Sequence, residues 1–145
     1  MFAEPAVARW WPRFDRAKIE AELVHPEEET TVYVITVDDE VAGVIQSWEE
    51  DDPDYRHASL DIAVASRWHG TGVAVDALRT LARHLVTTER HHRLAIDPAL
   101  DNSRAIACYQ KVGFRPVGVM RRYERGADGT FHDGLLMDML ADELE

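Results

Sequence analysis

The spacing of hydrophobic residues changes along the chain. Before residue 66, apolar and β-branched residues form short runs, which predict strands over residues 31–37, 41–48 and 59–65. Residues 38–40 are acidic and typical of a tight turn, so the first two strands are expected to form a hairpin. The polar segment 49–57 contains a proline and is predicted to be a loop.

Beyond residue 70 the apolar positions follow a helical period. A long helix is predicted from one apolar face, formed by Ala74, Leu78, Leu81 and Leu85. A short strand, a helix and two more strands are predicted at residues 93–96, 103–112, 114–123 and 130–140. Gly113 suits the left-handed position that ends a helix, and residues 126–129 form a turn between the last two strands.

Two short helical segments precede the first strand. Residues 6–11 are interpreted as the end of a helix that Pro12 stops, and residues 15–23 as a short helix with Asp15 as its N-cap. The order is then helix, hairpin, strand, helix, strand, helix, hairpin. A strand–helix–strand unit flanked by hairpins predicts an α/β (α+β) fold, with a mixed sheet and helices on its faces. Without repeats or linkers, residues 1–145 are expected to form a single domain.

The charge balance narrows the range of partners. The chain has 16 basic and 27 acidic residues, a formal net charge of −11, which repels nucleic acid and anionic membranes and attracts cations. The same charge also serves solubility. There is no apolar run long enough to cross a bilayer and no signal-peptide pattern, so a cytoplasmic location is expected. The one cysteine, Cys108, excludes an internal disulfide and a cysteine-rich metal site, and no metal is expected.

The segment 59–74 carries the first chemical signal. A predicted strand enters the turn Gly70-Thr71-Gly72, which opens the long helix. The first N–H groups of a helix have no internal partner, and the helix dipole adds positive charge there. Glycines let a phosphate approach these amides closely, so the turn suits a pyrophosphate, although two glycines alone more often make only a tight turn. The chain lacks a P-loop, and Val75 replaces the third glycine of the nicotinamide-type motif.

A second segment, residues 97–114, runs from a strand end through a helix. Together the two segments resemble the signature of the GNAT acetyltransferase superfamily, and the resemblance spans roughly residues 32–140. The matching positions of the second segment are Asn102, Ala105, Ile106, Tyr109, Gly113 and Phe114. The resemblance implies a mostly antiparallel sheet with a central strand–helix–strand site for acetyl-CoA. It also implies a first strand before Trp10 and Trp11, and that strand is expected to be missing here.

Within the superfamily, the chain is most similar to aminoglycoside 6'-N-acetyltransferases and related small-amine enzymes. The residues behind this closer similarity are Ala8, Arg9, Trp10, Trp11, Gly43, Gln46, Ser47, Leu60, Asp61, Asp97, Pro98 and Asn102. Residues 128–133 with Met137 also resemble branches that modify amino acids or protein N-termini.

The resemblance implies where the cofactor binds. Amides of residues 62–64 would pair with the pantetheine arm in a gap between two splayed strands. The glycine turn would hold the pyrophosphate, with a cation from His69, Arg67 or Arg104. The predicted cofactor-binding residues are Ile62, Ala63, Val64, His69, Gly70, Thr71, Gly72, Val73, Ala74, Asn102, Arg104 and Tyr109.

Amine acetylation needs a neutral amine, a stabilised oxyanion and a proton for the leaving thiolate. Tyr109 is the candidate acid, because the resemblance puts its helix beside the cofactor's sulfur; the alternative is a core tyrosine. Asp61 alternates with Leu60 and Ile62 and is the candidate base, or it binds the amine. Asp97 ends the next predicted strand, where it either shares the acceptor or only shapes a turn.

Aromatic faces and carboxylates suit a cationic amine. The predicted acceptor-binding residues are Trp11, Gln46, Trp48, Asp61 and Asp97. Trp10 and Trp11 are alternatively core residues. The acidic stretch 49–52 is either an acceptor contact or a solvated loop, and we favour the loop.

These observations predict an N-acetyltransferase that moves the acetyl group of acetyl-CoA to a primary amine of a small cationic acceptor, such as an aminoglycoside. The alternatives are a protein N-terminal or amino-acid acetyltransferase and a noncatalytic CoA-binding module. We expect neither a nucleic-acid nor a membrane partner, and a homodimer is compatible with the sequence. The identity of the acceptor is not encoded in any motif.

Overall fold

Six strands form one sheet in the computed structural model, which describes residues 1–145. They are β1 (Thr30–Val37), β2 (Glu40–Glu50), β3 (His57–Val64), β4 (Arg93–Ile96), β5 (Arg115–Arg125) and β6 (Phe131–Leu140). Their order across the sheet is β1-β2-β3-β4-β6-β5, and β3 with β4 is the single parallel pair. This mixed, mostly antiparallel sheet confirms the predicted fold class.

Four α-helices accompany the sheet: α1 (Pro5–Ala8), α2 (Arg16–Ile19), α3 (Val73–Thr87) and α4 (Ser103–Val112). A π-helical turn, Glu20–Val24, continues α2, and 3₁₀ turns lie at Ser66–Trp68 and Ala141–Glu143. The element order is the predicted one, and β4 and α4 have the predicted bounds. None of the helices combines the length and the apolar character that spanning a bilayer requires.

The core lies between one face of the sheet and the helices α3 and α4. Leu78, Leu81 and Leu85 of α3 are buried, as their helical spacing predicts. They pack with apolar residues of the sheet, namely Ile45, Ala58, Leu60, Leu94, Ile96, Met137 and Met139. Because burying a leucine side chain contributes about 2 kcal/mol, this face holds α3 firmly and so positions its N-terminus.

The N-terminal helices are shorter than predicted. α1 ends at Ala8, so Pro12 does not stop it, and the two neighbouring tryptophans lie beyond the helix. Asp15 does cap α2, since its carboxylate accepts the N–H of Lys18 at 2.9 Å. After Ile19 the predicted helix widens into the π-helical turn.

Strand β2 is longer than predicted and takes up the start of the acidic loop. Glu49 and Glu50 are its last two residues. The Glu49 carboxylate lies 2.7 Å from Nε2 of His91, a side chain that is almost fully buried. Glu49 therefore fastens the segment after α3 to the sheet and does not face an acceptor.

Strands β3 and β4 pair only briefly. Ala58 lies opposite Leu94 and Ser59 opposite Ala95, and no later pair joins the two strands. On its other edge β3 stays paired with β2 as far as Val64. β3 and β4 therefore separate in the direction of the glycine turn, as the resemblance implies.

Candidate active site

A cleft of about 580 Å³ opens where β3 and β4 separate. Its volume is typical of a site for a small molecule or cofactor. It brings together most of the predicted site residues. Those lining it are Trp11, Gln46, Asp61, Ile62, Ala63, Val64, His69, Gly70, Gly72, Ala74, Asp97, Asn102, Arg104 and Tyr109.

Three predicted residues do not line the cleft with their side chains. Trp48 lies near the far end of β2, is 40% exposed and packs edge-on against His57. The structure therefore does not place Trp48 at an acceptor site. The Thr71 hydroxyl donates to the Trp68 carbonyl at 2.7 Å, so it closes the turn. The Val73 side chain also lies outside the cleft, so only its backbone N–H at the start of α3 is available to a ligand.

The glycine turn presents unpaired amides. Gly70 and Gly72 have φ angles of 75° and 93°, in the left-handed region that favours glycine. No atom lies within 4 Å of where a Cβ would stand at either residue, so the approach is open. The Thr71 N–H makes a long bond of 3.4 Å to Trp68. The amides without any acceptor in the protein are those of Gly70, Gly72, Val73, Ala74 and Val75.

The three candidate cations near this turn differ in availability. Arg67 forms an ion pair of 2.8 Å with Glu40 and lies outside the cleft. His69 lines the cleft, but its Nε2 donates to the Val64 carbonyl at 2.8 Å. Arg104, in the first turn of α4, lines the cleft without an ion pair. Lys111 also lines the cleft, and no sequence motif marks it.

Two amides of β3 point into the gap. The Ala65 N–H donates to the Ala42 carbonyl of β2 at 2.8 Å. Because N–H directions alternate along a strand, Ala63 also points to β2, whereas Ile62 and Val64 point away from it. The Ile62 N–H already donates to the Asp61 carboxylate at 2.9 Å, so only the Val64 amide is free in the gap. The prediction of cofactor-binding amides is thus corrected for Ala63 and Ile62 and stays a prediction for Val64.

Asp61 lies in the middle of β3 and lines the part of the cleft that is called the acceptor end here. Its carboxylate accepts the N–H of Ile62 at 2.9 Å. Asp61 is exposed to the cleft, yet many protein atoms lie near its carboxyl group, and the resulting desolvation raises its pKa to about 7. The nearby charges of Asp97 and Glu124 raise it further, whereas the Ile62 bond opposes them. A carboxyl group with this pKa can accept a proton near neutral pH.

Tyr109 reaches the cleft from α4. Its side chain is 7% exposed, and its ring packs edge-on against Phe114. The hydroxyl has no hydrogen-bond partner in the chain and opens to the cleft. Burial and the charge of Asp61 raise the pKa of Tyr109 above its ordinary value, so the phenol stays protonated at neutral pH. A protonated hydroxyl facing a cleft suits a proton donor.

Two further carboxylates face the acceptor end. Glu22, from the π-helical turn, and Glu124, near the end of β5, both line the cleft. Burial raises the pKa of Glu124, and the charge of Asp97 adds to this. Residues 22 and 124 lie far from Asp61 in sequence, and neither belongs to a motif, so nothing in the sequence singled them out.

Asp97 has a partner, Tyr123, that no sequence motif indicates. The Tyr123 hydroxyl donates to its carboxylate at 2.5 Å. This bond raises the pKa of Tyr123 to about 12, while burial raises that of Asp97. Tyr123 therefore orients the carboxylate at the mouth of the cleft.

Gln46 lies directly opposite Asp61 on the neighbouring strand. Its Oε1 is buried and has no hydrogen-bond donor. A buried acceptor without a donor is costly unless a ligand supplies one. Gln46 and Asp61 together thus offer acceptor oxygens to an N–H group in the cleft.

Asn102 and Cys108 have mainly structural roles. Asn102 caps α4, since its side-chain oxygen accepts the N–H of Ala105 at 3.2 Å. Cys108 is half-buried and lines the cleft beside Tyr109. Burial raises the pKa of its thiol, which keeps it protonated and a poor nucleophile.

The separated strands, the glycine turn and the cleft between them have the arrangement of an acetyltransferase. The chain belongs to the acetyltransferase (GNAT) family, whose model matches residues 3–114. This membership confirms the resemblance drawn from the two sequence motifs.

The relatives of this chain act on different amines. It is 28% identical over 132 residues to an aminoglycoside N(6')-acetyltransferase type 1 of Klebsiella pneumoniae, covering 79% of this chain and 65% of that protein. The chain thus spans just under two thirds of the length of this curated relative. It is also 35% identical over 78 residues to an N-alpha-acetyltransferase of Mycobacterium tuberculosis, covering 52% of this chain and 47% of that protein.

One of the solved structures that share this fold covers nearly all of this chain. It is the spermidine N-acetyltransferase of Vibrio cholerae in complex with CoA and spermine, with a TM-score of 0.77. The two chains are 18% identical, and the superposition covers 95% of this chain and 84% of the other. At this identity the likeness concerns the fold.

Proposed function

We propose that this protein transfers the acetyl group of acetyl-CoA to a primary amine of a small cationic acceptor. The observation that carries the proposal is one continuous cleft. At one end it has the unpaired amides of the glycine turn, and at the other a carboxyl group with a pKa of about 7 beside a protonated tyrosine hydroxyl. The first end suits a pyrophosphate and the second suits proton transfer to and from reacting groups.

The gap between β3 and β4 would hold the cofactor. The unpaired amides of Gly72, Val73 and Ala74 would donate to its pyrophosphate, with the positive end of the α3 dipole behind them. Arg104 would add a positive charge from α4. The free Val64 amide, which points into the gap, would donate to the pantetheine arm along β3.

Acetyl transfer follows from the groups at the acceptor end. Asp61, directly or through water, takes a proton from the acceptor's ammonium group, and the neutral amine attacks the thioester carbon. A β3 amide that faces the gap stabilises the oxyanion of the tetrahedral intermediate. The carbon–sulfur bond then breaks, and Tyr109 donates its proton to the leaving thiolate. The nitrogen, now bonded to the acetyl carbon, loses its extra proton through water to the tyrosinate, which restores the phenol and leaves the neutral amide.

The carboxylates around the cleft favour a cationic acceptor. Three of these carboxylates lie on the π-helical turn, β3 and β5, the fourth directly follows β4, and all four line one end of the cleft: Glu22, Asp61, Glu124 and Asp97. Lys18, which also lines the cleft, pairs with Glu22 at 3.6 Å. A second positive charge on the acceptor would relieve the repulsion that remains among Asp61, Asp97 and Glu124. The aminoglycoside and spermidine enzymes among the relatives fit this class of acceptor. The net charge of −11 agrees with a cationic partner and opposes nucleic acid, and we propose a cytoplasmic setting.

The test combines calorimetry with an amine panel. Titration with CoA should show saturable binding, and acetyl-CoA should be consumed with kanamycin or spermidine but not without an amine. Activity only on a peptide with a free N-terminus would instead support protein N-terminal acetylation. Binding of CoA without turnover on any amine would favour a noncatalytic module, and absence of CoA binding would refute the proposal.

A further inference from the structure

A short segment crosses the acceptor end of the cleft. Residues 9–14, called the strap here, connect α1 to α2. Trp10, Trp11, Pro12, Arg13 and Phe14 all line the cleft. The strap is therefore a wall of the space in which the proposed acceptor binds.

The strap is anchored on its inner side by aromatic packing. Phe14 is 9% exposed. Its ring centroid lies 4.6 Å from that of Phe2 and 5.0 Å from that of Trp11, in tilted and edge-on arrangements. Such contacts hold the strap to the N-terminal segment at Phe2 but do not reach across the cleft.

Arg13 anchors the strap on the opposite side. Its Nη1 donates to the Gly126 carbonyl at 3.0 Å, and its Nη2 donates to the Arg125 carbonyl at 2.9 Å. One planar guanidinium thus spans two consecutive carbonyls of the β5–β6 turn, 112 and 113 positions away in sequence. Arg13 also has a φ of 59°, a left-handed conformation that is unfavourable for a residue with a Cβ. A strained backbone held in place by two bonds indicates a position that tertiary contacts determine.

The turn that receives Arg13 is well ordered by its own bonds. The Gly126 N–H donates to the Thr130 carbonyl at 2.9 Å. The Asp128 carboxylate accepts the Thr130 N–H and binds the His132 ring, each at 2.9 Å. These hydrogen bonds stabilise the turn, so Arg13 attaches the strap to a segment with a defined conformation.

The strap also separates two cavities. A second cavity of about 220 Å³ lies next to the cleft. Trp10, Pro12 and Arg125 line both spaces. Ala99 and Glu124 line both spaces as well, so the strap and the β5–β6 end of the sheet together form the boundary between them.

We propose that Arg13 is a positioning residue that determines acceptor specificity by fastening the strap to the β5–β6 turn. The inference rests on the proposed function. Arg13 contacts neither the glycine turn nor the β3 amides. Its effect should therefore appear in acceptor binding and leave the cofactor end unchanged.

The test compares Arg13→Ala and Arg13→Lys with Arg16→Ala. Arg16 is an exposed arginine of α2 that makes no ion pair and no side-chain hydrogen bond, so its removal is a matched control. Lysine keeps the charge at position 13, but its single ammonium cannot span two carbonyls. We expect KM for a short diamine to rise about tenfold in both Arg13 variants, with kcat within about twofold. KM for bulkier kanamycin should rise less, and the calorimetric CoA affinity should not change.

The outcomes are distinct. Inactivity of the unaltered protein on every amine would refute the proposed function itself. An active protein whose Arg13 variants keep the KM ratio of diamine to kanamycin would overturn the role of Arg13. A parallel loss of CoA affinity would also overturn it, because that result indicates general unfolding. If Arg13→Ala does not fold, the KM ratio of diamine to kanamycin in Arg13→Lys tests the proposal in the same way.

Discussion

The rate of acetyl transfer should depend on pH through Asp61. Desolvation beside the cleft raises its pKa to about 7, the charges of Asp97, Glu124 and Glu22 add to the rise, and the N–H of Ile62 opposes it. A base is inactive while it is protonated. Activity should therefore be low below this pKa and should rise as the pH passes through it.

The size of the pH effect on activity follows from the pKa of Asp61. With a pKa of about 7, about 9% of Asp61 is ionised at pH 6 and about 91% at pH 8. The value of kcat/KM, which reports the free enzyme, should thus increase about tenfold between these pH values. A bound cationic amine favours the carboxylate form, so the rise in kcat should occur at lower pH than the rise in kcat/KM.

The assay is acetyl-CoA consumption at fixed saturating cofactor, with amine acceptors whose own pKa values differ. Asp61→Asn keeps the size of the side chain and an acceptor oxygen for Ile62, but it cannot take a proton. We expect this variant to lose about 10²- to 10⁴-fold in kcat/KM and to lose the rise near pH 7. A rise that persists in Asp61→Asn, or that moves with the pKa of the acceptor, would show that Asp61 is not the base.

Three further substitutions test the remaining parts of the cleft. Tyr109→Phe should lower kcat at least about 10²-fold. The melting temperature and the CoA affinity should stay nearly unchanged, because the hydroxyl has no partner in the protein. Unchanged turnover in this variant would show that Tyr109 is not the acid. Gly72→Ala should lose about 1–2 kcal/mol of stability, because Gly72 has a φ of 93°, and it should also lose CoA affinity. The control Gly118→Ala, at a residue without a positive φ, should lose neither. Equal melting temperatures and equal CoA affinities in the two variants would contradict this prediction. Glu124→Gln should lower the pKa of Asp61 and move the rise in kcat/KM to lower pH, and a profile that stays in place would mean that the two carboxylates do not interact.

Local sequence patterns predicted the secondary structure well, since the forces that define it act over a few residues. The helical spacing of Leu78, Leu81 and Leu85 matched the buried face of α3. Gly113 takes the expected left-handed position after α4, and Asp15 caps α2. The predictions for residues 6–11 and 49–57 were less accurate, because no strong local signal marks where α1 ends or where β2 stops.

The acceptor end was predicted only in part. Asp61 and Gln46 were named, but the structure added Glu22 and Glu124 and left Trp48 outside. Alternation along β2 puts Gln46 and Trp48 on one face, yet only the sheet register decides which of them reaches the cleft. Such contacts join elements far apart in sequence, and a single chain contains no local signal for them.

The sequence by itself determined the local chemistry of this protein. A glycine turn after a strand leaves amides free wherever the chain folds, since the first turn of any helix has unpaired N–H groups. Only the tertiary structure decided what surrounds that turn. The separation of β3 from β4, the four carboxylates at one end and the Arg13 link to a turn more than a hundred residues away all follow from packing against the core. Packing joins distant segments through many weak contacts, and these contacts exist only when the whole fold has formed.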